Sequence, residues 1–186
     1  MKKRKQLIIP VFIPHEGCPY LCAFCNQSKI TGVNQQSDEI IVSQTIQSYL
    51  DVLDSKNLPE KREVAFYGGS FTGLPEERQK QLLHAVQPWI RSGEVHSIRV
   101  STHSLLVNPL NISLLKNNNV KTVELGIQST NDRVLQAVGR PCDFQTVKSA
   151  VDSIRKEELG LGLQLMPGLP DDDERIFMKS VEDVIG

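Results

Sequence analysis

The chain has 186 residues, 39% of them apolar and 23% charged, and at that length about two thirds of the unfolded surface can be buried, in about one domain. Its 21 Lys and Arg nearly cancel 22 Asp and Glu, which argues against a strongly cationic nucleic-acid surface. No apolar run approaches the roughly 20 residues that cross a bilayer, and the apolar stretch after the basic start is short and proline-interrupted, so no membrane partner and a cytoplasmic location are expected.

The basic run at residues 2–5 reads as a solvated tail. A short β-rich segment at residues 6–13 follows, and then the loop HEGCPYLCAFCNQ, with Cys18, Cys22 and Cys25. Ile46, Tyr49, Leu50 and Leu53 recur at helical spacing, with Asp38 placed to cap a helix from about Glu39. Residues 63–67 predict the second strand; Pro75 suits the first turn of the next helix, and Pro88 is expected to end or kink it before Trp89. A third strand (97–101), a helical pattern (112–116), a fourth strand (120–128), two helical patterns (132–138 and 144–157) and a fifth strand (160–166) come next. The last helix starts near Asp171. Strand and helix alternating in this way predict an α/β fold with a parallel sheet and right-handed crossovers.

The predicted strands have unlike faces. Val123, Leu125 and Ile127 share one face of VKTVELGIQ, while Thr122, Glu124 and Gln128 share the other; Ile98 and Val100 oppose Arg99 and Ser101, and Leu161, Leu163 and Leu165 oppose Gln164. Glu124, Gln128 and Gln164 left unpartnered in a dry core would cost about 1–3 kcal/mol each. A curved sheet with a polar ligand or water against its inner face is therefore expected, the alternative being that these side chains bond one another and the backbone.

The chain's four cysteines are three in one loop and a distant Cys142. A cytosolic thiol stays reduced, so the trio reads as metal or redox chemistry rather than a disulfide framework. Thiolate sulfur selects zinc or iron–sulfur clusters. A structural zinc site takes four ligands, with His15 as a candidate fourth; a cubane cluster held by three cysteines keeps one iron open for chemistry. Cys142 reads as a buried or half-exposed thiol.

The loop CPYLCAFC, with Phe24 before its last cysteine, resembles the cluster loop of the radical S-adenosylmethionine enzymes. The resemblance implies a partial (β/α) TIM-like barrel, about five βα units being present of the usual six. It implies a [4Fe–4S] cluster on Cys18, Cys22 and Cys25, with S-adenosylmethionine on the open iron. Electrons would come from a donor such as flavodoxin or ferredoxin. AFYGGSFTG is similar to the family's Gly-Gly segment, assigning Gly68 and Gly69 to the methionine amino group; Ser101 falls where relatives put a polar side chain near the methionine. ELGIQS and AVGRP assign Gln128 to the ribose and Arg140 to the methionine carboxylate, where its fork can pair two oxygens. Gln164 matches a second ribose-bonding position, and Phe24 is carried with the cofactor set.

These motifs most resemble the branch of the Elongator catalytic subunit and the oxygen-independent coproporphyrinogen oxidases, over roughly residues 8–170. An RNA is one substrate this branch implies. His103 stands where Elongator-like relatives have arginine, and Cys142 where they have histidine, so substrate or product handling is expected to differ. With five strands counted against six, residues 1–186 are expected to form a core domain incomplete at its C-terminus. A non-catalytic metal-binding or partner-binding module, or half of a split enzyme, is the alternative reading.

Overall fold

A computed structural model of the chain describes residues 6–13, 17–25, 38–53 and 59–185. The basic run at 2–5 and His15, the candidate zinc ligand, lie outside the described residues. Five strands, β1 (Gln6–Phe12), β2 (Lys61–Tyr67), β3 (Ser97–Thr102), β4 (Val120–Gln128) and β5 (Gly160–Leu165), alternate with helices α1 (Asp38–Asp51), α2 (Glu76–Arg91), α3 (Pro109–Asn117), α4 (Asp132–Ala137), α5 (Phe144–Lys156) and α6 (Glu174–Ile185). Every strand pair is parallel and the sheet order is the chain order, β1-β2-β3-β4-β5. Sequential parallel strands joined by crossovers of one hand carry all their helices on one face, which curls the sheet into part of a barrel.

The register explains where the core sits. Ile9 lies beside Val64 and Val64 beside Ile98; Val11, Phe66, Val100 and Val123 form the next row. All are buried, and they pack with Val42 and Ile46 of α1, Leu82, Leu83 and Val86 of α2 and Val147 and Ile154 of α5. The other face carries the alternate residues, including Glu63, Arg99, Thr122 and Glu124. Ser97 Oγ donates to Glu63 Oε1 at 2.7 Å, and Arg99 reaches Glu63 Oε2 with one Nη (3.0 Å) and Glu124 Oε1 with the other (2.5 Å). Gln6 and Lys61 also bond Glu63. Burial alone works to raise the Glu63 pKa, but hydrogen bonds from Ser97, Arg99 and Lys61 outweigh it and hold the carboxyl below its usual range.

Several boundaries differ from the sequence reading. β2 starts two residues early because Lys61 and Arg62 pair with Gln6 and Leu7. α1 begins at Asp38, one residue before the expected start at Glu39. α2 runs past Pro88 to Arg91: Pro88 forfeits only its bond to the His84 carbonyl, and both residues lie on the exposed side where solvent can take up the freed oxygen. α3 begins at Pro109, held by a capping box between Asn108 and Asn111, and α6 begins at Glu174, with Asp173 Oδ1 accepting from Ile176 N–H at 2.7 Å.

Candidate active site

The loop after β1 is seated by close backbone contact. Gly17 has φ 80°, and a Cβ there would lie 2.3 Å from the Ser70 carbonyl oxygen; a Cβ on Gly73 would fall 1.8 Å from the Gly17 oxygen. No larger residue fits either position, so the cysteine loop is pinned onto the turn that follows β2. Further along, Cys25 N–H donates to the Cys22 carbonyl and Ala23 N–H to that of Val138, both at 2.9 Å, tying the loop to the segment that carries Arg140. Phe24 packs with Val134, Val138 and Leu169.

Each later strand delivers a polar or glycine residue at its C-terminal end. Gly68 turns the chain after β2 with φ 94°, where a Cβ would sit 2.8 Å from the Ile13 oxygen. At the end of β3 stand Ser101, Thr102 and His103. Near the end of β4 the register shifts: Gly126 pairs with Gln164, but Gln128, with φ 70°, pairs with Leu165. That bulge re-aims Gln128, whose carbonyl accepts from Met166 N–H at 2.9 Å.

Cys18, Cys22, Cys25, Phe24, Gly68, Gly69, Ser101, Gln128, Arg140 and Gln164 thereby line one cleft of about 220 Å³ at the C-terminal ends of the strands. Every residue that the resemblance assigns to the cluster or the cofactor is in it. The cleft also takes in Tyr20, Ser70, Thr102 and Gly126, which the sequence reading gave no role, and His103, noted there only as a departure from the Elongator-like pattern. Gly126 was detectable as a glycine inside a β-rich run, a mark of close approach: a Cβ there would strike Gln128 Nε2 at 2.8 Å.

Among the buried side-chain atoms without a hydrogen-bond partner are Gln128 Oε1, Arg140 Nε and His103 Nε2, all from cleft residues. Arg140 donates through one Nη to the Gly126 carbonyl and through the other to Cys22 Sγ at 3.8 Å. His103 is 3% exposed; its Nδ1 accepts from Leu105 N–H at 3.1 Å, and its ring lies 4.8 Å from that of Tyr20. Burial, reinforced by the charge of Arg140, pushes the His103 pKa down from 6.5 to about 4. Cys142 is buried beside Arg140, and burial pushes its thiol up despite that cation. Glu124, grouped with Gln128 and Gln164 as ligand-facing, is instead engaged by Arg99. Gln164 is exposed on edge strand β5. Among the described residues the four cysteines are free thiols, no group of three His, Cys, Asp or Glu side chains is placed to hold a single metal ion, and no helix is long and apolar enough to cross a membrane.

The chain is similar to the heme chaperone HemW of Bacillus subtilis, with 24% identity over 157 residues, 82% of this chain and 41% of the relative. Among solved structures it resembles coproporphyrinogen III oxidase (HemN) of Escherichia coli, a radical SAM enzyme, with TM-score 0.65 and 19% identity over 97% of this chain and 41% of that one. Elp3 of the archaeon Methanocaldococcus infernus gives TM-score 0.71 and 16% identity, covering 97% and 42%. The chain therefore spans about two fifths of the length of these relatives. The Radical SAM superfamily model matches residues 12–184, from the end of β1 into the last turn of α6, and on that match the protein belongs to the Radical SAM superfamily.

Proposed function

We propose that this cleft binds a [4Fe–4S] cluster and S-adenosylmethionine, and that the chain carries the core of an enzyme that cleaves S-adenosylmethionine reductively. The observation that carries the reading is the convergence of three free thiols from one loop with buried, unpartnered Gln128 Oε1 and Arg140 Nε. The donor set fits: soft thiolates suit iron–sulfur ligation, and the orphaned polar atoms are an acceptor for ribose hydroxyls and a cationic donor for a carboxylate. With both groups bound, one electron taken up by the cluster is spent on breaking a carbon–sulfur bond, giving methionine and a 5′-deoxyadenosyl radical that can take a hydrogen atom from a substrate.

The chain's own residues have separate tasks in this reading. Cys18, Cys22 and Cys25 would hold three irons of the cluster through their thiolates and leave the fourth for the methionine amino and carboxylate groups. Gly68 and Gly69 present backbone carbonyls that accept from the amino group, and the turn that does so depends on Gly68, whose φ of 94° and contact with the Ile13 carbonyl leave no place for a Cβ. Ser101 lies beside the methionine part. Arg140 directs a fixed positive charge at the carboxylate, and because it also leans on Cys22 it couples that end of the ligand to the cysteine loop. Gln128 and Gln164 flank Gly126 and take the ribose hydroxyls. Phe24 closes the apolar wall beside the loop, excluding water from the reacting end.

The test is anaerobic reconstitution with iron and sulfide, followed by dithionite reduction in the presence of S-adenosylmethionine. Wild-type protein is expected to hold four irons and four labile sulfides per chain, as a [4Fe–4S] cluster contains about that number, and to release 5′-deoxyadenosine and methionine in equal amounts. Cys22→Ala is expected to lose both the iron and the product. Zinc without labile sulfide in the wild type, or iron content unchanged in Cys22→Ala, contradicts the proposal.

A further inference from the structure

His103 holds a hydrogen-bond donor that the functions assigned above leave unused. A neutral imidazole carries one proton, and since Nδ1 accepts from Leu105 N–H, that proton resides on Nε2. The ring is fixed in place: Leu105 holds one edge, Tyr20 of the cysteine loop lies tilted against its face, and almost none of it reaches solvent. Nε2 is buried and has no partner, a condition that folded proteins seldom leave unanswered. Nearby, Arg140 brings a positive charge that acts on the His103 ring and has its own buried Nε without a partner.

A neutral donor beside a cation in one cleft suits an anion with at least two acceptor oxygens. S-adenosylmethionine offers one such group, the carboxylate of its methionine part; its sulfonium and ammonium repel Arg140, and its ribose hydroxyls have Gln128 and Gln164. We propose that His103 is a further binding residue, donating from Nε2 to that carboxylate alongside Arg140. The assignment rests on the cofactor reading above and adds to it the residue that fixes the carboxylate's orientation, one oxygen toward the imidazole and the other toward the guanidinium.

The experiment measures equilibrium binding of S-adenosylmethionine and of decarboxylated S-adenosylmethionine to reconstituted protein, for wild type, His103→Asn and His103→Gln, each with its iron and sulfide content. Asn can keep the bond from Leu105 but is too short to reach the Nε2 position; Gln places an amide N–H near it. A hydrogen bond to a charged group predicts that His103→Asn weakens S-adenosylmethionine binding about ten-fold, that His103→Gln restores most of the loss, and that the decarboxylated ligand binds all three proteins about equally. Loss of the same size for both ligands, or no loss in His103→Asn with its cluster intact, overturns the assignment while leaving the cofactor reading standing. A wild type that assembles no cluster or binds no S-adenosylmethionine removes that reading, and this one with it.

Discussion

Toward the N-terminal ends of the strands, Glu63, Arg99 and Glu124 answer one another across β2, β3 and β4; toward the C-terminal ends, Gln128, Arg140 and His103 each keep a buried polar atom without a partner. Both regions line the same inner face, and both look alike as a pattern of polar residues alternating with apolar ones. The difference is in accounting for hydrogen bonds. In the lower region, among the buried side-chain atoms of the described residues, only Arg99 Nε is left over, so its charges are spent on joining strands. In the upper region the residues that carry the unspent atoms line a cleft beside three thiols, the site proposed for a ligand.

Substitutions can break this contrast. The largest effect is expected from Glu63→Ala, which leaves Arg99 with one carboxylate instead of two in a buried setting; urea unfolding should register a loss of about 3 kcal/mol, with S-adenosylmethionine affinity unchanged within about three-fold. Arg140→Gln should do the reverse, reducing S-adenosylmethionine affinity about a hundred-fold by removing the charge opposite a desolvated carboxylate. Loss of affinity in the first variant, or full affinity in the second, would erase the distinction between the two ends. Gln128→Ala should weaken binding by about ten-fold, the worth of hydrogen bonds to neutral hydroxyls. Acidification of the cluster-free protein tests the contrast in a different way. The folded His103 stays neutral down to about pH 4 while an unfolded chain takes up its proton near 6.5. Stability from this source is therefore full above pH 6.5 and drains away as pH falls toward 4. His103→Gln should flatten the unfolding midpoint across that window. The decline due to Glu63, whose carboxyl is held below 4.5, comes at lower pH and should persist in that variant.

The sequence contained most of the architecture because each strand needed one continuous apolar face: β4 was bounded to the residue, and β1, β3 and β5 to within one. The misplacements have specific causes. Lys61 and Arg62 carry no β preference and join β2 only because β1 offers them partners. Asn108-Pro109 with Asn111 was a readable capping box, but the apolar pattern of α3 starts later and drew the boundary inward. Pro88 was expected to end or kink α2 on local grounds; the helix does not end there, Pro88 being exposed and one turn from the helix end. At the site, the residues that the motifs singled out line one cleft, yet strand alternation by itself could not distinguish Glu124 from Gln128. Both sit on the inner face of one strand, two positions apart from Gly126 on either side. What separates them is that Arg99 reaches the first, and that a bulge with φ 70° turns the second into the cleft; neither fact is visible without the fold. His103 likewise looked like a departure from a family pattern, and only its burial and the Leu105 contact reveal a fixed proton.

The claim that the unspent polar atoms belong to a ligand on the cysteine loop is tested most directly by the paramagnetic resonance spectrum of the reduced, reconstituted protein before and after S-adenosylmethionine is added. A changed cluster signal in the wild type, with Arg140→Gln needing a far higher concentration to produce the same change, is the predicted result. A fully loaded cluster whose signal does not respond to S-adenosylmethionine at any concentration would contradict the account.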